Sequence, residues 1–135
     1  MKIKIATWNI NSIRLRENHV CSVLVDYAPD IICLQELKAA TESVPTKKFE
    51  DLGYKYLVIR GQKGYNGVAI ISRIPIVDTG HFDYCLKGDA RHVSAILPNG
   101  VEIQNFYIPA GGDVADRKLN MKFGHKLDFL CEMKA

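Results

Sequence analysis

A chain of 135 residues, 47% apolar and 24% charged, has the size and composition of one small globular domain with a real core. Its net charge of +3 suits a polyanionic partner without requiring one. No run approaches about 18 apolar residues, and none follows the N-terminal lysines, so neither a membrane span nor a signal peptide is expected.

The chain opens on a strand that runs from Lys2 to Ile10 and ends in Thr7-Trp8-Asn9-Ile10-Asn11-Ser12-Ile13-Arg14. From about Arg16 to Tyr27, Val20, Val23, Leu24 and Tyr27 recur at helical spacing on one face, and Pro29 stops the helix. Ile31 to Glu36 is a second strand, opening on the apolar run Ile31, Ile32, Cys33 and Leu34 and leading into Leu37 and Lys38. Strand, helix and neighbouring strand form a right-handed βαβ unit by default. Around Thr41 to Leu52, Pro45 could start a helix that buries Phe49 and Leu52 and is capped by Gly53. Tyr54 to Ile59 and Val68 to Ser72 read as a hairpin about the glycine-rich loop Gly61 to Gly67. Pro75 to Val77 is a short edge element, and His81 to Ala90 reads as a loop. His92 to Leu97 and Val101 to Tyr107 flank Pro98-Asn99-Gly100, a strong hairpin signal. Arg117 to Met133 closes the chain as an amphipathic helix with Leu119, Phe123, Leu127 and Leu130 on one face. The pattern is α+β: a single mixed β-sheet flanked by helices.

Cys21, Cys33, Cys85 and Cys131 form no Cys-x-x-Cys pair. Neither they nor His19, His81, His92 and His125 supply the close ligand pairs of a zinc site. Buried, reduced thiols in a cytoplasmic setting are the expectation.

If the first two strands are parallel neighbours, Asn9 and Glu36 emerge at the same sheet edge, where ligands of open α/β sheets bind. A carboxylate and an amide offer only oxygens to a hard cation, as magnesium requires. Each candidate also has a structural reading. Glu36 could cap the next turn beside Lys38, and Asn9 could simply form a turn. Tyr107 could hold a phosphate oxygen or be a core tyrosine with a satisfied hydroxyl. Arg91 could contact phosphate or pair with Asp89. Tyr65 and Asn66 could touch a nucleic-acid backbone or shape the glycine loop.

Four blocks carry a family resemblance: Trp8 to Arg14, Asp30 to Lys38, Gly61 to Ile70, and Asn105 to Gly111. In order and local sequence they resemble exonuclease III-type apurinic/apyrimidinic endonucleases of the endonuclease/exonuclease/phosphatase superfamily. The resemblance implies one half of that superfamily's four-layer α/β sandwich. It also implies a magnesium-dependent DNA phosphodiesterase, with manganese as an alternative ion. Such an enzyme cuts 5′ to abasic sites in duplex DNA, and many members also degrade 3′ ends. By the resemblance, Glu36 is the metal ligand, Asn9 the amide of the same site and Asn11 its neighbour. Tyr107 is the active-site tyrosine, and Arg91, Tyr65 and Asn66 face the substrate.

The family's second half supplies a Gly-Asp-Phe-Asn block and a late Asp–His pair that have no counterpart here. Asp113, Asp116, Asp128 and His125 lie in the wrong contexts to replace them, and a solvated helix face is their expected role. The resemblance thus leaves two outcomes open: a nuclease impaired by truncation, or a catalytically inactive remnant that binds nucleic acid or protein. A third reading, a small phosphoester or phospholipid substrate, is disfavoured by the Trp-Asn-Ile-Asn and Gly-Gln-Lys-Gly-Tyr contexts. A lone half would also bare an apolar sheet face, so the expectation is that the chain either pairs with a second copy as a homodimer or is a fragment of a longer protein.

Overall fold

The computed structural model of the chain describes residues 2–135. Strand β1 (Ile5–Asn9), helix α1 (Ile13–Asp26) and strand β2 (Ile31–Gln35) form the anticipated βαβ unit. β1 and β2 are parallel, in register from Ile5 opposite Ile31 to Asn9 opposite Gln35. Helix α1 starts a turn earlier than its apolar spacing suggested, because Ile13 is itself fully buried. Asp30 clamps the start of the unit. Its carboxylate accepts from the Lys4 amide at 2.7 Å and pairs with Arg73 at 2.9 Å.

The short helix α2 (Lys47–Asp51) buries Phe49 but leaves Leu52 outside. Gly53, at φ +95°, ends it. The Tyr54 amide reaches back to the Phe49 carbonyl and the Gly53 amide to Glu50, closing a Schellman motif. Strands β3 (Tyr56–Arg60) and β4 (Val68–Ser72) then form the hairpin about the glycine loop. β4 docks antiparallel on β2, giving a four-stranded mixed sheet ordered β1-β2-β4-β3.

The remaining strands do not join that sheet. β5 (Val77–Gly80), β6 (His92–Ile96) and β7 (Glu102–Phe106) make a separate antiparallel sheet. The expectation of one mixed sheet is therefore corrected to two sheets packed face to face. One core layer holds Ile31, Cys33, Val58, Val68 and Ile70 against Val93, Ala95 and Leu97 of the second sheet. The other lies between the first sheet and its helices, with Ile32, Leu34, Ala69 and Ile71 meeting Ile13, Val20, Leu24 and Phe49. Every residue of β2 and β4 is buried for this reason. The bare apolar sheet face expected of a lone half, and with it the basis for a dimer across that face, is absent: the chain covers the face with its own second sheet.

Helix α3 (Met121–Lys134) packs on the outer side of the second sheet. Phe129, fully buried, sits with its ring 4.8 Å from Tyr84 and 6.5 Å from Phe106. The leucine face read from the sequence does not pack, and Leu119, Leu127 and Leu130 are exposed. A single aromatic anchor and the close approach at Gly124 orient this helix instead. The chain thus contributes to all four layers: helices, mixed sheet, antiparallel sheet, helix. On one side the sandwich is open. There the edge strands β1 and β7 frame a groove of about 430 Å3 lined by Ile5, Thr7, Gln35, Glu102 and Gln104 among others. No helix among the described residues is long and apolar enough to cross a membrane.

Candidate active site

The parallel pairing of β1 and β2 brings Asn9 and Glu36 to the same carboxyl edge, as the βαβ reading required. The turn after β2 is unusual. Glu36 and Lys38 both adopt left-handed backbone, at φ +57° and +53°. Residues other than glycine hold such angles only where their surroundings over-determine them, at about 1–3 kcal/mol each. The clamps are visible. On one side the Ser12 amide donates to the Glu36 carbonyl at 2.8 Å and the Ile13 amide to Leu37 at 3.0 Å. On the other, the Leu37 and Lys38 amides donate to Gly67 and Asn66 at 3.1 and 2.9 Å. Gly67, at φ +92°, has no room for a side chain, since a Cβ there would lie 2.9 Å from the Leu37 Cβ.

Tyr107 lies just past the end of β7, and its hydroxyl donates to the Glu36 carboxylate across the two sheets. Burial first, and then the bond to Glu36, push its pKa above the usual tyrosine value. The Arg91 guanidinium lies over the ring at 4.7 Å from its centroid. Arg91 is in turn held by Asp89 at 2.6 Å and by the Tyr107 carbonyl at 3.3 Å. The Asp89 pairing of the structural reading is present, and the same guanidinium packs over the tyrosine ring. Asn9 is exposed and accepts from the Asn11 amide at 3.3 Å. The Asn11 side chain is bonded to Lys38.

The side-chain oxygens that Glu36 and Asn9 could offer an ion at this edge are hard donors, one carboxylate and one amide. No group of three or more His, Cys, Asp or Glu is placed to hold an ion among the described residues. That donor set suits an ion that keeps most of its shell as water and phosphate oxygens, the habit of magnesium.

A model of the endonuclease/exonuclease/phosphatase family matches residues 6–127. The chain belongs to the endonuclease/exonuclease/phosphatase family. Its relatives include exodeoxyribonuclease III of Haemophilus influenzae, 39% identical over 71 residues that make up 53% of this chain and 26% of that protein. Recombination repair protein 1 of Drosophila melanogaster is 37% identical over 116 residues, 82% of this chain and 16% of that protein. Among solved structures, an AP endonuclease from Archaeoglobus fulgidus superposes with a TM-score of 0.85 at 34% identity, covering 98% of this chain and 49% of that one. A 3′ phosphatase, NExo, from Neisseria bound to a product DNA hairpin gives 0.81 at 35%, covering 96% and 49%. This family member thus spans about half the length of the solved chains it resembles, and its matches cover smaller shares of the two relatives above.

Within this family member, Tyr65 and Asn66 separate. Tyr65 is exposed at the tip of the glycine loop, with Gly64 beside it at φ +86°. Asn66 serves the loop: its side chain donates to Gln62 at 3.1 Å, and Gln62 also accepts from the Ala90 amide at 2.9 Å. That ties the glycine loop to the segment just before β6 that carries Arg91.

Sequence reasoning passed over the amides that hold the two sheets in place. Asn105, almost fully buried, donates to the Leu34 and Ala69 carbonyls at 3.0 and 2.8 Å. Its own carbonyl accepts from Gln35 at 2.8 Å, and Gln35 also donates to Thr7 at 3.0 Å. Gln35 immediately precedes Glu36, and Asn105 lies two residues before Tyr107. This clamp therefore sets the span between the carboxylate and the tyrosine. The available signal was polar residues interrupting two apolar strands, since a buried amide must find partners. His125 was also misjudged. It is half-buried rather than on a solvated face, and its Nε2 is sequestered without a hydrogen-bond partner. The thiols divide too. Only Cys33 is buried, its pKa pushed up to about 11, while Cys131 is exposed.

Proposed function

We propose that this chain is the N-terminal portion of an endonuclease/exonuclease/phosphatase domain acting as a DNA phosphodiesterase of base-excision repair. Its preferred cut is 5′ to abasic sites in duplex DNA, with 3′-to-5′ exonuclease action on 3′ ends. The observation that carries this reading is the contact of the Tyr107 hydroxyl with the Glu36 carboxylate at the β1–β2 edge, under the Arg91 guanidinium.

Glu36, with Asn9 beside it, would hold magnesium, or manganese in its place. A divalent ion bound there supplies charge neutralisation for the phosphate and the departing oxygen. With Glu36 turned to the ion, the Tyr107 hydroxyl would exchange its present bond to that carboxylate for one donated to a phosphate oxygen as negative charge develops there. Its raised pKa keeps that proton in place at neutral pH. Arg91, fixed by Asp89, holds the tyrosine ring in position and adds positive charge nearby. Asn11 and Lys38 line the edge next to Asn9, and Tyr65 presents an exposed ring to the strand. The free thiols, the exposed Cys131 among them, fit a reducing cytoplasmic setting.

A second reading, binding without cleavage, draws on the same site. Hydrolysis needs a positioned base to activate water, and Asp89, the carboxylate closest in the chain to Arg91, is taken up by its pair with Arg91 at 2.6 Å. The experiment is incision of a duplex carrying one abasic-site analogue, in magnesium and in chelator, with Glu36→Gln alongside. Magnesium-dependent cutting that disappears in Glu36→Gln supports the nuclease. Equal inactivity of both proteins refutes it for this chain and favours the binding remnant.

A further inference from the structure

We propose that Lys122 and His125 of α3, together with Arg91, form an anion subsite beside Tyr107 that receives a second phosphate of the bound strand, a reading that rests on the proposed function. Arg91, Tyr107, Lys122 and His125 line one cavity of about 270 Å3 with the loop Pro109–Gly112. A liquid water occupies roughly 30 Å3, so the cavity is large enough for a phosphate group with its ordered waters. No carboxylate lines it. Lys122 and Arg91 bring two positive charges to the space and His125 a neutral ring, while Asp89, the acid paired with Arg91, is not part of its lining; that balance favours an anion there over a cation.

The cavity is built rather than incidental. Asn120 caps α3 by accepting from the Lys122 amide at 3.1 Å. The same side chain donates to the carbonyls of Gly111 and Val114, each at 2.9 Å. A Cβ at Gly112 would lie 2.7 Å from the Asn120 Nδ2, and one at Gly111 would lie 2.8 Å from the Lys126 Cδ. The loop is therefore pressed against the start of α3, which carries Lys122 and His125. Lys122 takes part in none of the ion pairs among the described residues. The buried, unpartnered Nε2 of His125 is the only such side-chain atom among the described residues. Buried polar atoms without a partner are rare in folded proteins, and a ligand is one way to satisfy them. Burial first, then the charges of Lys87 and Arg91, lower the His125 pKa, with Asp89 and Asp128 opposing. The ring is thus neutral at pH 7, and it contributes a hydrogen bond where Lys122 contributes charge.

That division makes the test specific. DNA affinity falls with salt at a log–log slope of about −0.9 per neutralised phosphate on duplex DNA. Lys122→Ala is expected to make the slope shallower by about 0.9. His125→Gln is expected to leave the slope unchanged and weaken binding about fivefold, the loss of one neutral hydrogen bond. In a phosphate-free buffer, added inorganic phosphate is expected to shift the His125 imidazole NMR signals saturably in the wild type and weakly in Lys122→Ala. DNA binding with an unchanged slope in Lys122→Ala and unmoved His125 signals overturns the subsite and leaves the nuclease reading standing. Phosphate-dependent shifts in a chain that neither binds nor cuts abasic DNA keep the anion site and overturn the nuclease reading. A chain that does not bind DNA and whose His125 signals ignore phosphate overturns both.

Discussion

Replacing Asn105 with alanine removes the clamp between the two sheets. Three side-chain hydrogen bonds disappear: two donated to Leu34 and Ala69, and one accepted from Gln35. At a net of about 1 kcal/mol each, they sum to about 3 kcal/mol. Two buried carbonyls are also left short of a donor, and water entering from the adjoining groove satisfies them only in part, which adds about 1–2 kcal/mol. The expected loss is therefore about 4–5 kcal/mol, a large part of the roughly 5–15 kcal/mol available to a typical domain. Equilibrium urea unfolding measures it. With a slope of about 2 kcal/mol per M, the midpoint falls by roughly 2 M while the slope itself stays constant. Asn99→Ala is the control. It removes one exposed turn bond, from the Val101 amide at 3.1 Å, and should cost under about 1 kcal/mol. A loss below about 1 kcal/mol for Asn105→Ala would refute the clamp and leave apolar contact alone as the link between the sheets.

Phe129→Ala empties the aromatic anchor of α3 and should cost about 3–5 kcal/mol, whereas Leu130→Ala on the exposed face stays within about 1 kcal/mol; thermal unfolding of the two variants compares them. Gly61→Ala drives a Cβ to 2.4 Å from the Ala39 carbonyl oxygen and the Thr41 amide. Because both are backbone atoms, the loss should reach about 1–3 kcal/mol or more, where Gly100→Ala, with open space around it, shows only the smaller cost of its φ of +85°. His92 predicts a pH dependence. Burial above all holds its pKa below the usual 6.5, and its Nδ1 accepts from the Phe82 amide at 3.0 Å, so it folds as neutral imidazole. The unfolded chain takes up that proton first. The stabilisation is full above about pH 6.5 and is lost as pH falls from there through the lower folded-state value. A thermal midpoint that fails to drop between pH 8 and pH 5.5 more in the wild type than in His92→Gln counts against this assignment.

The βαβ start was legible because each of its signals is local. An apolar run, a helical period, Pro29 and a second apolar run leave few alternatives, and the parallel register followed. The Asn-Gly hairpin was equally local. Membership of β5 to β7 in a second sheet was not legible, since a period of two looks the same whichever sheet a strand joins. The face of α3 was misread for a related reason. Four apolar residues at helical spacing outnumber Phe129, yet the aromatic pocket of Tyr84, His92 and Phe106 exists only after folding. At the site, residue types and order pointed to Glu36, Asn9, Tyr107 and Arg91. The supports at Gln35, Asn105 and Gln62 were hidden because their partners lie 28 to 71 residues away in sequence.

β1 and β7, two of the four edge strands, bear on how this chain folds in a tube. Each presents a row of backbone groups with no ladder partner, and Ile5 and Val101 lie exposed beside them. Glu102 on β7 is a charged deterrent to edge-to-edge pairing, whereas Lys4, just before β1, is occupied, its Nζ donating to the Tyr27 carbonyl at 2.7 Å. Refolding is then a contest between two rates. Closing the sandwich is unimolecular and indifferent to concentration, while edge pairing between chains grows with it. The yield of native chain should therefore fall as refolding concentration rises, with the folding rate itself unchanged. Glu102→Gln should shift that crossover to more dilute solutions.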